Sequence, residues 1–191
     1  MKEVAKHVGG KEVQAAMHLH ERGKKAFDEV RSKVDVGEAA WGALKLVHER
    51  KMEDAIMAWK EAALAGHPIA QLNLGEIYEH GHGAVKDYTE AASYYKMAAT
   101  SGVAEAQHNL GMLYKRGQGL EKSDELAAEF VRKAADQGLA DAQHKMGKFC
   151  ARGKGVNEDT AAAVEWLSKA ARQGHEKAKA DLDTLKATGS V

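Results

Sequence analysis

Ten histidines give this sequence its clearest opportunity for metal binding. His18 and His20 lie two residues apart on a predicted helix, so they point to different faces, and His80 and His82 flank Gly81 in a predicted link between helices. A structural zinc site normally takes four ligands in a closed tetrahedron, and the spacing of these residues supplies no such set. We therefore expect solvated histidines, with no metal site and no bound cofactor.

The sequence has one cysteine, Cys150, which can form no disulfide within the chain. It lies 36 residues after Tyr114, which itself lies 36 residues after Tyr78, so we expect it to pack at the same position as a small buried apolar group. The serines have no nucleophile-elbow context, and no glycine-rich phosphate-binding loop follows a predicted strand. The sequence therefore predicts no catalytic residues, and we expect that the protein is not an enzyme.

The charge balance argues against a nucleic-acid-binding protein. The chain has 28 basic and 28 acidic residues, whereas a nucleic-acid-binding domain normally has an excess of basic residues on one face. The strongest local basic patch would be formed by Lys145, Lys148, Arg152 and Lys154, and we interpret it as a solvated helix end. We expect no nucleic-acid partner.

Hydropathy and the first residues of the chain indicate its compartment. No stretch approaches the roughly 20 apolar residues needed to span a bilayer, so no membrane insertion is expected. Residues 1–7 lack the apolar core of a secretory signal peptide. The sequence therefore predicts an intracellular protein, in the cytoplasm or, if a targeting segment was removed before residue 1, in an organelle matrix.

Glycines and alanine pairs recur along the chain at one fixed interval, which indicates the architecture. Self-similarity with a period of roughly 20–50 residues is typical of stacked repeat arrays, in which each unit buries its apolar face against its neighbours. The same interval of 36 residues separates Gly75, Gly111 and Gly147; Gly81, Gly117 and Gly153; Gly83, Gly119 and Gly155; Gly66, Gly102, Gly138 and Gly174; and the pairs that begin at Ala62, Ala98, Ala134 and Ala170.

Each unit of 36 residues contains two predicted amphipathic helices. Ala70, Leu74, Ile77 and Tyr78 have the spacing of one face of a first helix, and the apolar side chains of residues 91–99 have the same spacing on a second helix. Because each helix is apolar on one stripe and charged elsewhere, it must pack against another helix. The sequence predicts an all-α fold built from antiparallel helix pairs.

The repeated glycines have two predicted roles. Gly81 and Gly83 lie in the link between the two helices, where a positive φ lets the chain turn back. Gly75 lies inside the first helix, where glycine costs roughly 1 kcal/mol relative to alanine. Its recurrence predicts that the second helix packs too closely to admit a β-carbon, and we expect the alanine pair, Ala98 and Ala99 in this unit, to face it.

The repeated pattern Ala-Gln-x-x-Leu-Gly-x-x-Tyr, with a Gly-x-Gly link and a closing Ala-Ala-x-x-Gly, resembles the Sel1-like repeat, a relative of the tetratricopeptide repeat. Residues 70–78 and 106–114 match closely, whereas residues 142–150 have methionine and cysteine at the leucine and tyrosine positions. The resemblance covers roughly residues 37–182. It implies a right-handed α-solenoid, a superhelical scaffold whose first helices line the inner, concave face.

The ends of the sequence depart from the repeat and define the expected domains. Two helices, Glu38–Glu49 and Glu53–Ala65, are expected in a degenerate first unit, and one or two more helices, separated near Gly23, are expected before it. The expected order is an N-terminal helical extension or degenerate cap (1–36), the repeat array (37–182, with a degenerate unit at 37–68 and well-formed units at 69–104, 105–140 and 141–176), a capping helix to about residue 186, and a disordered tail (187–191).

The resemblance implies that a partner would meet the first-helix positions that avoid the packing stripe. Leu72 and Met112 are apolar in columns expected to be exposed, His108 and His144 share one column, and asparagine or lysine fills the next, which suits an extended peptide or a partner helix. Exposed surface without a partner is the alternative. The expected concave-face residues are Leu72, Asn73, Glu76, His108, Asn109, Met112, Lys115, His144, Lys145 and Lys148.

Three functions are compatible with such an array. The leading hypothesis is a non-catalytic scaffold or adaptor that binds a partner protein or peptide on the concave face. The alternative is a permanent structural subunit of a large multiprotein assembly, with Trp41 and Trp59 as candidate contacts. A hydrolase, as proposed for disulfide-rich Sel1-like proteins, is disfavoured because those proteins have paired cysteines in each repeat and this chain has one cysteine.

Overall fold

The computed structural model describes Lys25 and residues 41–187, with side-chain surroundings described from residue 52 onward in the second range. The predictions for residues 1–24, 26–40 and 188–191 lie outside the described residues. Every regular element of residues 41–187 is an α-helix: α1 (Trp41–Leu64), α2 (Pro68–His80), α3 (Tyr88–Thr100), α4 (Ala104–Arg116), α5 (Asp124–Asp136), α6 (Ala140–Cys150), α7 (Thr160–Arg172) and α8 (Glu176–Ala187).

The helices recur at the interval predicted from the sequence. The first helices of successive repeats, α2, α4, α6 and α8, begin at residues 68, 104, 140 and 176. The second helices, α3, α5 and α7, begin at residues 88, 124 and 160. Both sets advance by 36 residues, so the predicted all-α fold with a 36-residue repeat of helix pairs is confirmed.

The chain divides into two compact units, residues 1–97 and residues 98–191. In the first unit, Ile56 and Trp59 of α1 belong to one buried cluster with Leu74 and Ile77 of α2. Trp59 is only 3% exposed, so the idea that its side chain contacts a partner is wrong. The side chain of Trp41 lies outside the described surroundings.

One helix replaces the two that were expected in the degenerate unit. The expected separation of residues 38–49 from residues 53–65 is wrong, because α1 runs without a break over Trp41–Leu64. Residues 50–52 are arginine, lysine and methionine, which all favour helix, and no glycine or proline interrupts the backbone hydrogen bonds there.

The second compact unit contains the helix pairs α4–α5 and α6–α7 and the final helix α8. Its main buried cluster joins Met112 of α4, Val131 of α5, and Met146, Phe149 and Cys150 of α6. Burial raises the pKa of the Cys150 thiol, which stays protonated and therefore poorly nucleophilic. The prediction that Cys150 packs as a small buried group is confirmed.

The links between paired helices share one capping arrangement. The backbone N–H of Ser123 donates to the carbonyl oxygen of Tyr114 at 3.1 Å, and the N–H groups of Asp87 and Asp159 make the equivalent bonds in the other two links. The Ser123 hydroxyl oxygen also accepts a hydrogen bond from the N–H of Leu126, which caps the start of α5. The position of each second helix is therefore set by the polar residue that precedes it.

The predicted close approach at the glycines inside the first helices is confirmed. A β-carbon added to Gly111 would lie 2.8 Å from Val131 Cγ2 and 3.0 Å from the carbonyl oxygen of Ala127. A β-carbon added to Gly147 would lie 2.7 Å from Leu167 Cγ. Real β-carbon contacts are longer, so any larger residue at these positions would push the paired helices apart.

The alanine pairs do not face these glycines, so that part of the prediction is wrong. The residue against Gly111 is Val131, which precedes the alanine pair of α5 by a helical turn. The alanine pairs instead present carbonyl oxygens to the first helix of the next repeat. The buried Gln107 amide donates to the Ala99 carbonyl oxygen at 3.2 Å, and Gln143 donates to that of Ala135 at 3.2 Å.

Candidate functional site

The structure buries three of the predicted partner-binding residues. Leu72, Met112 and His144 are each 8% exposed, so the expectation that Leu72 and Met112 occupy exposed columns is wrong. Met112 belongs to the same buried cluster as Met146 and Phe149, since the helix of the next repeat covers it. These three side chains have little surface to offer a partner.

His144 is held by the last helix. Its Nε2 lies 2.7 Å from Asp181 Oδ2 of α8, and its ring centroid lies 4.5 Å from that of His175. Burial lowers the pKa of His144, against the raising effect of Asp181, so the neutral ring donates to the carboxylate. Lys148 Nζ lies 3.1 Å from the same carboxylate oxygen. His144, Lys148 and Asp181 form what we call the α8 anchor.

The other predicted residues remain accessible to different degrees. In the first compact unit Asn73 is half-buried and Glu76 is exposed. In the second unit His108, Asn109, Lys115, Lys145 and Lys148 are half-buried. Whether any of them binds a partner stays a prediction.

Three of these lysines converge on one pocket in the second compact unit. Lys115 comes from the last turn of α4, and Lys145 and Lys148 come from one face of α6. The pocket has a volume of about 180 Å³ and contains six cationic side chains and one carboxylate. We call it the cationic pocket; it is lined by Lys115, Lys122, Asp124, Lys145, Lys148, Phe149, Arg152 and Lys154.

The cations of this pocket destabilise one another. Burial lowers the pKa of Lys115, and Arg116, Arg152 and Lys148 lower it further. The pKa of Lys145 is lowered by burial and then by Lys115 and Lys148. Nearby positive charges favour the neutral form of a lysine, so these amines repel one another, and a bound anion would relieve that repulsion.

The cations differ in how far the protein itself neutralises them. Lys148 is paired with Asp181, and the Lys115 amine lies 5.3 Å from the centroid of the Phe149 ring, a cation–π distance. No ion-pair partner within residues 52–187 is found for Lys145. The pocket therefore holds positive charge that the described part of the chain leaves uncompensated.

Sequence reasoning found part of this pocket. Lys145, Lys148, Arg152 and Lys154 formed the strongest basic patch in the sequence, but it was interpreted as a solvated helix end. Lys122, Asp124 and Phe149 were not predicted; Lys122 lies in the link before α5, and Phe149 is an apolar residue of α6 that the structure buries. The available signal was the clustering of lysine and arginine at residues 115–116, which end α4, and at residues 145–148 and 152–154, which lie in α6 and just after it.

The other candidate chemistry is sparse. The His80 and His82 rings stack with centroids 5.4 Å apart, and His80 Nδ1 lies 2.9 Å from the carbonyl oxygen of Glu76. Among residues 41–187 and Lys25, no three His, Cys, Asp or Glu side chains are grouped as metal ligands. His18 and His20 lie outside the described residues. None of the described helices combines the length and apolar character needed to cross a membrane.

Three consecutive segments of the chain, residues 68–103, 104–139 and 140–175, match the family model of the Sel1 repeat. Together they cover more than half of the 191 residues. The chain belongs to the Sel1 repeat family. The matched segments contain the pairs α2–α3, α4–α5 and α6–α7, so the cationic pocket is built from the second and third Sel1 repeats.

Solved Sel1 repeat structures have the same fold. The protective antigen c5321 of uropathogenic Escherichia coli, which displays an SLR fold, is 33% identical with a TM-score of 0.71, covering 85% of this chain and 36% of that one. A Sel1 repeat protein from Oxalobacter formigenes is 37% identical with a TM-score of 0.62, covering 68% of this chain and 97% of that one. This chain thus spans about a third of the c5321 antigen.

A more distant structure supports the fold alone. Helicobacter pylori cysteine rich protein B is 23% identical with a TM-score of 0.56, covering 70% of this chain and 96% of that one. No curated protein is similar enough to this chain to match it.

Sel1 repeat proteins generally mediate protein–protein interaction, and their fold generally serves as a non-catalytic scaffold.

Proposed function

We propose that this Sel1 repeat protein is a non-catalytic scaffold that binds a partner protein or peptide on its first-helix surface. We define this surface by the half-buried side chains Asn109, Lys115, Lys145 and Lys148 of α4 and α6. The observation that supports the proposal is the convergence of polar side chains from two successive repeats on one pocket. A single bound segment could contact both repeats there.

The accessible hydrogen-bonding groups also favour this surface over the other predicted partner-binding residues. Leu72, Met112 and His144 are used for packing within the array, whereas the first-helix surface keeps donors that reach solvent. The asparagine amide can donate and accept hydrogen bonds, and the lysines add charge. Hydrogen bonds to charged groups contribute about 1.5–3 kcal/mol when desolvated, which is enough for selective recognition.

Site-specific photocrosslinking in the native cell tests this proposal. A photoreactive amino acid is placed at Asn109 in one variant and at Arg132, an exposed position on α5, in a matched control. We expect a discrete crosslinked partner from position 109 and none, or a much weaker one, from position 132. Crosslinking from position 132 alone would place the contact on the second helices and contradict the proposal.

A permanent structural subunit is the second candidate function. Met57 is 62% exposed and Leu64 is 86% exposed on α1, an arrangement that a stable protein interface would cover. Size-exclusion chromatography of native extract separates the two functions. Elution only in a large complex that survives dilution would favour the permanent subunit, and elution largely as free protein would favour the scaffold with exchangeable partners.

A further inference from the structure

The cationic pocket is the part of the described surface whose charge most restricts its ligand. Six cations and one carboxylate, Asp124, line it, and within residues 52–187 the ion pair found for these cations is that of Lys148 with Asp181. Lys115 and Lys145 are half-buried, so they have given up part of their hydration. A ligand for this pocket must therefore supply negative charge.

The shape and composition of the pocket select among anionic ligands. At about 180 Å³ it accommodates one or two side chains rather than an extended polymer. Asp124, one of its lining residues, opposes a dense polyanion, and five of its six cations are lysines, which act as separate point charges.

The charge of the whole chain points away from nucleic acid. The formal net charge is zero, so there is no general basic excess to attract a phosphate backbone. The positive charge is instead local and lies where two repeats meet on the first-helix surface. A short segment with two or more closely spaced carboxylates satisfies both the size and the charge of the site.

We propose that the cationic pocket binds an acidic segment of a protein partner, with carboxylate groups of Asp or Glu held between Lys115, Lys145 and Lys148. The proposal rests on the scaffold function and specifies its ligand. Carboxylates there would form charge-assisted hydrogen bonds to amines that otherwise repel one another. Lys145, which has no ion-pair partner within residues 52–187, is the central contact.

Fluorescence anisotropy with a defined probe tests the proposal. The probe is a short fluorescein-labelled peptide of alternating Glu and Gly, and its counterpart has Gln in place of every Glu. We expect saturable binding of the Glu peptide that weakens as salt is raised, because the contacts are ionic, and no binding of the Gln peptide. Equal binding of both peptides would overturn the proposal.

Matched variants locate the binding. Lys115→Gln combined with Lys145→Gln removes two pocket cations, and Arg132→Gln combined with Arg172→Gln removes two exposed cations of the second helices. We expect the first pair to weaken binding about tenfold or more and the second pair less than about twofold, as desolvated charge contacts exceed surface ones. A comparable loss in both pairs would show non-specific charge attraction and overturn the proposal.

Two further measurements keep the test decisive. In a titration of the unmodified protein with the Glu peptide, the amide chemical shifts should change first at Lys115, Lys145 and Phe149. Changes elsewhere would reject the site. This measurement needs no variant, so it holds even if the variants fold poorly. Inorganic phosphate and a single-stranded oligonucleotide serve as competitors, and displacement of the peptide at lower concentration by either would replace the acidic-peptide assignment with a phosphate ligand.

The two proposals fail in different ways. If the Glu peptide does not bind but a photoreactive group at Asn109 still crosslinks a partner, the scaffold function stands and its acidic ligand is wrong. If neither occurs, both are wrong.

Discussion

The cationic pocket and the α8 anchor share Lys148 of α6, yet the charges of the two sites are neutralised to different degrees. In the anchor, Asp181 of α8 accepts bonds from both His144 and Lys148 of α6. The equivalent position one repeat earlier, 36 residues before Asp181, is occupied by Lys145. The same place in the repeat therefore carries a carboxylate at the last helix and an ammonium group at the preceding one.

This difference has opposite electrostatic consequences. Burial raises the pKa of Asp181, but the hydrogen bonds from His144 and Lys148 outweigh it and lower the pKa overall. The pKa of Lys145 is lowered by burial and by its neighbouring cations. In the anchor the folded state favours the charged carboxylate, whereas in the pocket it disfavours the charged amine. At the last described helix the carboxylate of Asp181 joins α8 to α6, whereas one repeat earlier Lys145 lies among other cations.

The largest expected effect on stability comes from pushing α6 away from α7. Both the pocket and the anchor depend on α6. Gly147→Val places a branched side chain where a single β-carbon would already lie 2.7 Å from Leu167 Cγ. We expect a loss of about 3 kcal/mol in the free energy of unfolding. Gly138→Ala is the control, since its added carbon meets nothing within 4 Å and its φ of +95° costs about 1–2 kcal/mol. Urea unfolding measures both, and equal losses would contradict the close approach.

Removing the anchor carboxylate should have the next largest effect. Asp181→Ala leaves the buried His144 ring without its acceptor, and we expect a loss of about 2 kcal/mol. Asp183→Ala removes an exposed carboxylate from the same helix and should be nearly silent. Hydrogen exchange should show faster opening of α8 in the first variant only; intact protection of α8 would mean that Asp181 does not hold it.

The pH dependence of stability should reveal the titration of His144 and Asp181 in the α8 anchor. Because the pKa of His144 is lowered in the folded state, chiefly by burial, its contribution is complete above the ordinary value of about 6.5 and is lost as the pH falls through the lowered pKa. The pKa of Asp181 is also lowered in the folded state, so its contribution to stability is lost at still lower pH. We expect the melting temperature to fall more steeply between about pH 7.5 and pH 5 in the unmodified protein than in His144→Gln. Parallel curves of melting temperature against pH for the two proteins would show that His144 is not the titrating group.

The smallest expected effect on stability comes from making the pocket resemble the anchor. Lys145→Glu places a carboxylate near Lys115 and Lys148, and we expect a gain of less than about 1 kcal/mol, because the site is partly solvated. The same change should abolish binding of the acidic peptide. Lys179→Glu makes an equal charge change at an exposed position of α8 and should leave peptide binding intact. A destabilised Lys145→Glu variant would contradict the view that cations repel one another in this pocket.

Much of the fold could be predicted because each structural repeat places the same residue types at the same positions of the sequence. The interval between Gly111 and Gly147 gave the period, and the helix starts at residues 104 and 140 follow it. The continuous α1 was not predicted, since the repeat frame suggested a break that no local glycine or proline supports. The alanine pairs were placed against the wrong neighbour, because spacing indicates that a residue packs and not which helix it meets.

The candidate site could be predicted only in part. Lys115, Lys145 and Lys148 were among the expected residues, and the structure places them in one pocket. Leu72 and Met112 were expected to be exposed and are buried. Helical periodicity identifies the face of a helix that packs against its partner in the same pair. Whether the opposite face is buried depends on the helix of the following repeat, whose position the periodicity does not give.

The sequence by itself determined the family, the 36-residue repeat, the helix pairs and the close contact at glycine. These properties depend on local periodicity and on the volume of single side chains, both of which can be read along the chain. The tertiary structure decided which polar residues are neutralised and which remain available. Packing brings Asp181 to within 2.7 Å of His144 and brings Lys145 near enough to Lys115 to lower its pKa. The residues of each pair are some 30 or more positions apart in the chain, and sequence spacing carries no signature of such charge interactions.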